Sequence, residues 1–368
     1  MVNSEQSKTY RSAVIACGRI SRAHARGYLA HPQIELAACA DINSEALEAF
    51  GSEFNVPPQS RYLDYSEMLD REKPDLVSIC SLHDLHASMT IDATSCKPRA
   101  ILCEKPIALS LAEADAMMDA CRRSGTLLIV GHQRRFGPQY ASAYQALEAG
   151  EIGELQSVET HGHPGCSLMV DGTHTVDLIR WYAGDGPINW VFGQIDAREH
   201  RSAWGGRVEN AALVLFRFAS GVRAFMTLGH HSSQKQEPKL DPLWPDVPPG
   251  TYHQITLHGT KGQIEIDGDA PVEGRPWVRL VRNGAVEEIP LPWARGGEPR
   301  MASHALVIQA MLESLETGVH HTLDASSARA TLEVLMAAYE SSRRRAVIEL
   351  PLEVPENPLF DMLDRGEV

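Results

Sequence analysis

No apolar run in this chain approaches the length of a bilayer span, so membrane insertion is not expected. The opening stretch, MVNSEQSKTYRS, holds neither an apolar core nor a twin-arginine pair, and export is not expected either. Positive charge is scarce: 34 Lys and Arg stand against 48 Asp and Glu, a formal net charge of −14. That balance opposes non-specific binding to nucleic acid. The seven cysteines are an odd set with no paired spacing, and Cys17, Cys39, Cys80 and Cys103 lie in or at the end of apolar runs. Small buried thiols of a reducing, cytoplasmic compartment fit that placement, and no metal is expected. Repeats and low-complexity tracts are missing as well.

What is there is length and alternation. A chain of 368 residues can hold two domains and a generous core. Up to residue 132, short apolar runs (12–17, 35–41, 76–81, 100–104, 127–132) alternate with amphipathic stretches such as 44–54 and 110–125. The second stretch has Ser110 and Glu113 at capping-box spacing, Arg122 and Arg123 near its end, and Gly125 as a stop. Strands apolar on both faces and alternating with helices predict an α/β domain with a parallel sheet covered on both sides. From about residue 150, runs at 154–163, 188–197, 210–218, 222–231, 252–260, 262–268 and 277–284 read as successive strands of a mostly antiparallel sheet. Residues 233–250, rich in Pro and charge, read as an excursion loop or lid. Helices over 301–317 and 324–343 follow. The division predicted is 1–132 for a nucleotide-type domain and 133–368 for an α+β domain, with the C-terminal helices able to pack back on the first.

The stretch YRSAVIACGRISRAH (10–24) reads as a strand entering a helix through a tight turn. A Rossmann fingerprint places three glycines there; this chain has Ala16, Gly18 and Ser21. Gly18 keeps the position where the backbone approaches a pyrophosphate, and the other two are the smallest replacements. Asp41 ends the next strand 23 residues on, near the ~20-residue offset of a carboxylate that accepts the ribose hydroxyls of NAD and repels a 2′-phosphate. Ile42 and Asn43 supply no cation to reverse that preference. NAD is therefore expected over NADP, held by Cys17, Gly18, Arg19, Ile20 and Asp41. Glu104, Lys105 and Pro106 follow the strand run 100–104, and ligands of an open parallel sheet lie at such strand ends. Glu104 and Lys105 are read as facing the crevice, with Pro106 restricting Lys105 to an extended backbone.

SLHDLH (81–86), EKP (104–106), GHQRRF (131–136) and DGTHTVDLIRWYAGD (171–185), in that order along nearly the whole chain, resemble the glucose–fructose oxidoreductase/inositol dehydrogenase/MocA family. The resemblance implies a Rossmann domain and an α+β domain with a large open sheet that often forms dimers or tetramers. It also implies NAD(P)-dependent dehydrogenation of a sugar, polyol or derivative. By motif it makes Lys105 the catalytic lysine and His174 the acid/base histidine, with Asp177 orienting the imidazole or the substrate. Ser81, Leu82, His83, His86, Glu104 and Lys105 fall at cofactor-contact positions. The chain departs from the pattern where relatives carry an Asp four residues before the histidine: Val170 stands there and the acid is Asp171. Leu82 and His83 replace a Pro-Asn, and Ala16 and Ser21 replace glycines.

Candidate contacts for a carbohydrate or polyol are Lys105, Arg134, Arg135, His163, Asp171, His174 and His230; Tyr140 is a further one. Trp181 and Tyr182 read as core. Three functions compete: an NAD-dependent dehydrogenase; an NAD-retaining glycosidase or lyase that oxidises C3 transiently before elimination; and a dinucleotide-binding sensor, against which Lys105 and His174 together argue. A homodimer or homotetramer is expected.

Overall fold

The computed structural model describes residues 9–162, 165–229, 253–269, 274–291 and 299–368. The excursion expected at 233–250 lies outside these residues. The chain begins with β1 (Tyr10–Ile15), α1 (Ser21–Leu29), β2 (Ile34–Ala40), α2 (Ser44–Glu53), β3 (Arg61–Tyr62), α3 (Tyr65–Glu72), β4 (Leu76–Ile79), α4 (His86–Ala93), β5 (Ala100–Cys103), α5 (Leu111–Ser124) and β6 (Leu127–Val130). The six strands form one sheet in the order β3-β2-β1-β4-β5-β6, every pair parallel. All four residues of β4 and of β5 are buried, as strands covered on both faces require. Asn43 and Asp64 cap α2 and α3 by accepting backbone N–H bonds. Beyond α5, Gly125 takes a left-handed φ of +74°. The strand order reverses between β1 and β4, the point at which doubly wound sheets open a crevice at their carboxyl ends.

The chain continues with α6 (Pro138–Glu148), β7 (Leu155–Gly162), a π-turn at Leu168–Gly172, α7 (Thr173–Tyr182) and β8 (Ile188–Asp196). A small hairpin, β9 (Arg201–Ala203) and β10 (Gly206–Val208), precedes β11 (Ala211–Phe218), β12 (Arg223–Gly229), β13 (His253–Gly259), β14 (Gln263–Ile266), β15 (Val278–Arg282) and β16 (Ala285–Glu288). The last elements are α8 (Pro299–Thr317), α9 (Ala325–Arg344), β17 (Ile348–Glu349) and α10 (Pro358–Arg365). The second sheet runs β16-β15-β14-β13-β7-β12-β11-β8-β17 and is antiparallel except for the parallel pair β7–β12. Along β7, buried Val158 and Thr160 alternate with half-exposed Ser157, Glu159 and His161, so one face is packed and the other open.

Two compact units emerge. One holds the described residues within 1–108, 113–136 and 297–328; the other holds those within 109–112, 137–296 and 329–368. Helix α8 thus belongs with the parallel sheet: Val307, Ile308 and Met311 share a core with Tyr10, Val14, Tyr28 and Leu102. The α1–α8 contact is tight enough that a Cβ on Gly27 would lie 2.7 Å from Ile308 Cδ1. Among the described residues no helix is long and apolar enough to cross a membrane.

Candidate functional site

The turn after β1 leaves its backbone open at Gly18. Ala16 has a φ of +69°, the left-handed conformation that a fingerprint glycine adopts freely and that costs an L residue about 1–2 kcal/mol. Gly18 is exposed, and a Cβ placed on it would meet nothing within 4 Å, so the protein itself does not demand glycine there. Ser21 is fully buried and its hydroxyl donates to the Gly18 carbonyl, filling the third glycine's place with a polar contact. Helix α1 starts with no side-chain cap and no acid in its first turn, leaving its leading N–H groups to a negatively charged ligand.

Asp41 ties this turn together. Its Oδ2 accepts the Cys17 N–H at 2.6 Å and its Oδ1 accepts the Asn43 N–H at 2.7 Å. A carboxylate has about four acceptor sites, so two are left for ribose hydroxyls. Asn43 spends its side-chain oxygen on the N–H groups of Glu45 and Ala46, and Ile42 is 90% exposed beside it. Neither offers a cation. The turn, the uncapped helix start and the half-buried carboxylate fit NAD.

The loops after β4 and β5 lie at adjacent strand ends. Leu82 is exposed, while His83 is buried and pushed down to about 2, first by burial and then by the Lys105 charge. His86 is fully buried and bridges the loops: Nδ1 faces the Pro106 carbonyl at 2.8 Å and Nε2 faces the Ser81 carbonyl at 3.3 Å. The cofactor contact expected of His86 therefore meets a ring whose nitrogens are both engaged with the backbone. Lys105 is half-exposed, and the Lys105–Pro106 peptide bond is cis.

Glu104 departs from the sequence reading, which placed it facing the crevice. It is 6% exposed; Oε1 lies 2.9 Å from His24 Nε2 and 3.8 Å from His304 Nε2, and Oε2 lies 3.4 Å from the Lys105 backbone N. Burial pushes the carboxyl up, but the hydrogen bond with His24 and the nearness of the His24 and His304 rings outweigh it and hold Glu104 well below the carboxylate range. Burial pushes His24 down. Gly131 makes the room: a Cβ there would lie 2.7 Å from Glu104 Oε1. These three side chains are the only group among the described residues with metal-ligand donors converging, their ligand atoms lying within 4.8 Å of one another. Arg135 also turns inward. It is 3% exposed and donates to the hydroxyls of Thr322 and Ser327, in place of the substrate contact expected; Arg134 is half-exposed.

In the second unit, α7 carries His174 in its first turn and Asp177 one turn on, 3% and 1% exposed. The π-turn before it holds Val170 and Asp171, both half-buried; Asp171 Oδ2 accepts the Ser167 N–H at 3.3 Å. Glu209, absent from the sequence reading, is fully buried beneath this turn. It accepts the Leu168 N–H and, at 2.8 Å, the Tyr339 hydroxyl, and burial raises its carboxyl above the usual range. Tyr140 is buried with its hydroxyl on Asp269, and Trp181 stacks on Tyr144 at 4.1 Å, so these are packing residues. His163 and His230 lie outside the described residues.

Of the residues missed, His24 alone left a signal: Ser21, His24, Ala25 and Tyr28 share one buried helical face. His304 and Glu209 sit in stretches with no chemical motif.

Known proteins agree with this architecture. Residues 10–132 match the model of an oxidoreductase family with an NAD-binding Rossmann fold, and residues 140–265 match a GFO/IDH/MocA C-terminal domain. A D-apiose dehydrogenase of Paraburkholderia graminis is 27% identical over 98% of this chain and 95% of its own. An inositol 2-dehydrogenase of Rhizobium meliloti is 25% identical over 72% of this chain and 77% of its own. The crystal structure of an oxidoreductase from Agrobacterium radiobacter, in complex with NAD+, L-tartaric acid and magnesium, superposes with a TM-score of 0.76 over 93% of this chain and 98% of that one, at 19% identity. A six-stranded parallel sheet, then a nine-stranded mixed sheet, then both family models matching along them: the chain belongs to the Gfo/Idh/MocA family of oxidoreductases.

Proposed function

We propose that this protein is an NAD-dependent dehydrogenase that moves hydride between a sugar, polyol or sugar-derivative hydroxyl carbon and nicotinamide. The observation that carries the reading is the turn at Gly18, open to a phosphate and braced by the Asp41 carboxylate. Bound NAD supplies the hydride acceptor. The first unit holds the cofactor: the N–H groups that open α1 receive the pyrophosphate, and the spare acceptor sites of Asp41 receive the ribose hydroxyls. A 2′-phosphate would meet the Asp41 anion with no compensating cation from Ile42 or Asn43, which favours NAD over NADP.

By motif, Lys105 of the first unit and His174 of the second are the candidates for acid/base chemistry, in which a hydroxyl proton is removed as hydride leaves the same carbon. Asp177, one turn from His174 on α7, orients the imidazole. The names of the relatives support a carbohydrate or polyol as substrate. Assembly into a dimer or tetramer fits the open face of the large sheet, where half-exposed Phe192, Leu215 and Phe225 stand opposite one another across three strands.

The test is a panel of sugars, inositols and sugar acids, followed for NADH formation with wild type, Lys105→Ala and His174→Ala. Acid/base help of this kind is worth about 10²–10⁴-fold, so each variant should bind NAD and turn over that much more slowly. Normal turnover in either variant would remove it from the chemistry. Cleavage of aryl glycosides without net NADH would instead identify an eliminating enzyme.

A further inference from the structure

Helix α1, the end of β5 and helix α8 each send one donor to a single point inside the first unit. His24 comes from α1, Glu104 from the residue after β5 and His304 from α8. All three are buried, and their ligand atoms lie within 4.8 Å of one another. Glu104 Oε1 is 2.9 Å from His24 Nε2 and 3.8 Å from His304 Nε2. The two imidazole rings are tilted by 51° rather than stacked, with centroids 5.1 Å apart. Gly131 leaves the carboxylate its place, since a Cβ there would lie 2.7 Å from Oε1.

Apolar side chains would fill this space at a smaller desolvation cost than a carboxylate beside two imidazoles. What the polar trio offers instead is a donor set that divalent transition ions bind. The separations suit such an ion. Bonds of about 2.0–2.2 Å to a tetrahedral metal set neighbouring donors roughly 3.4 Å apart, and the two distances to Oε1 fall about half an ångström to either side. A carboxylate that binds through both oxygens brings the donor count to four. Glu104 Oε2 makes a long contact, 3.4 Å, to the Lys105 backbone N, and can turn to the ion.

His24 is also oriented as metal-bound histidines are. Its Nδ1 faces Ser78 Oγ at 3.0 Å, and Ser78 Oγ meets the Tyr28 hydroxyl at 2.7 Å. With Nε2 on the ion, Nδ1 carries the ring proton and donates to Ser78, a hydrogen bond of the kind that fixes a ligand's tautomer and direction.

We propose that His24, Glu104 and His304 form a structural site for a divalent transition ion, zinc or one of similar preference, which ties α1 and α8 to the end of β5. Two histidines and a carboxylate also hold iron in oxygenases, but those sites keep open positions. Here the ligands are closed off from solvent, as in structural sites. The cysteine spacing that spoke against a metal does not bear on this one, because no thiol is among the donors. The ion does no chemistry on a carbohydrate, so the site stands or falls apart from the dehydrogenase reading.

The test uses full-length protein purified without chelator from zinc-supplemented medium. Elemental mass spectrometry should find about one zinc per chain in the wild type. His24→Gln and His304→Gln should each lose it, while His320→Gln, which alters an exposed histidine beside Asp324, should keep it. Stripping the wild type with a strong chelator should lower its Tm by several degrees, and zinc should restore it. Should the buried variants fail to fold, anomalous scattering from crystals of the zinc-loaded wild type locates the ion directly, with a peak expected between the three side chains. A wild type that takes up no zinc even after reloading overturns the inference. So does zinc that persists in folded His24→Gln and His304→Gln proteins, or an anomalous peak found elsewhere.

Discussion

A Gly18→Ala protein should fold at least as well as the wild type and bind NAD poorly. No protein atom lies within 4 Å of the added methyl, and φ at Gly18 is not in the left-handed range, so the native state gains no strain. The unfolded chain loses freedom, which adds about 0.4–1 kcal/mol of stability. Binding responds in the opposite direction. The methyl occupies the approach of the pyrophosphate to the α1 N-terminus, and losing even one charge-assisted N–H contact costs about 1.5–3 kcal/mol, roughly a tenfold or greater rise in Kd. Thermal unfolding of the apo protein and fluorescence titration with NADH separate the two effects. In the wild type, NAD at about 100 times Kd adds about 2.7 kcal/mol of stability; the variant should gain far less at the same concentration. Unchanged affinity would refute the placement of the phosphates, and a Tm lowered by several degrees would refute the reading of Gly18 as open.

Asp41→Ala should weaken NAD and bring NADP turnover close to that with NAD, because the repelling carboxylate and two hydroxyl acceptors go together; an unchanged cofactor ratio in steady-state kinetics would contradict the role of Asp41. His83, held neutral with its pKa near 2, should make the protein acid-sensitive: the unfolded chain protonates below about 6.5 and the folded one does not, so stability complete above that pH falls by about 1.4 kcal/mol per unit as pH drops toward 2. His83→Asn should flatten the Tm–pH curve between pH 6.5 and 4, and an identical slope would exclude His83 as the source. Gly131→Ala should push Glu104 off His24, since the new Cβ would sit 2.7 Å from Oε1; a loss of about 1–3 kcal/mol in denaturant unfolding is expected, and none would mean the carboxylate has room to move.

The nucleotide-binding half was legible where local rules govern. Strands buried on both faces reveal themselves as unbroken apolar runs, and Ala16, Gly18 and Asp41 sit at fixed offsets from β1 because one backbone turn sets them all. Two-residue strands such as β3 and β17 carry no periodicity, and the parallel β7–β12 pair within an antiparallel sheet joins segments far apart in the chain. Side-chain direction was the least legible. Glu104 follows its strand as a crevice residue should, yet turns inward because His24 donates to it there and His304 lies beside it, and Arg135 turns inward to donate to Thr322 and Ser327. No spacing rule links partners so far apart in the chain.

The most direct test of the central claim is isotopic. A sugar or polyol that the wild type oxidises, carrying deuterium on the reacting carbon, is incubated with NAD and the reduced cofactor is analysed by mass spectrometry. Deuterium on the nicotinamide, in step with carbonyl formation and lost with Lys105→Ala, is the predicted result. Reduced cofactor free of deuterium, or no reduced cofactor from any carbohydrate in the panel, would contradict it.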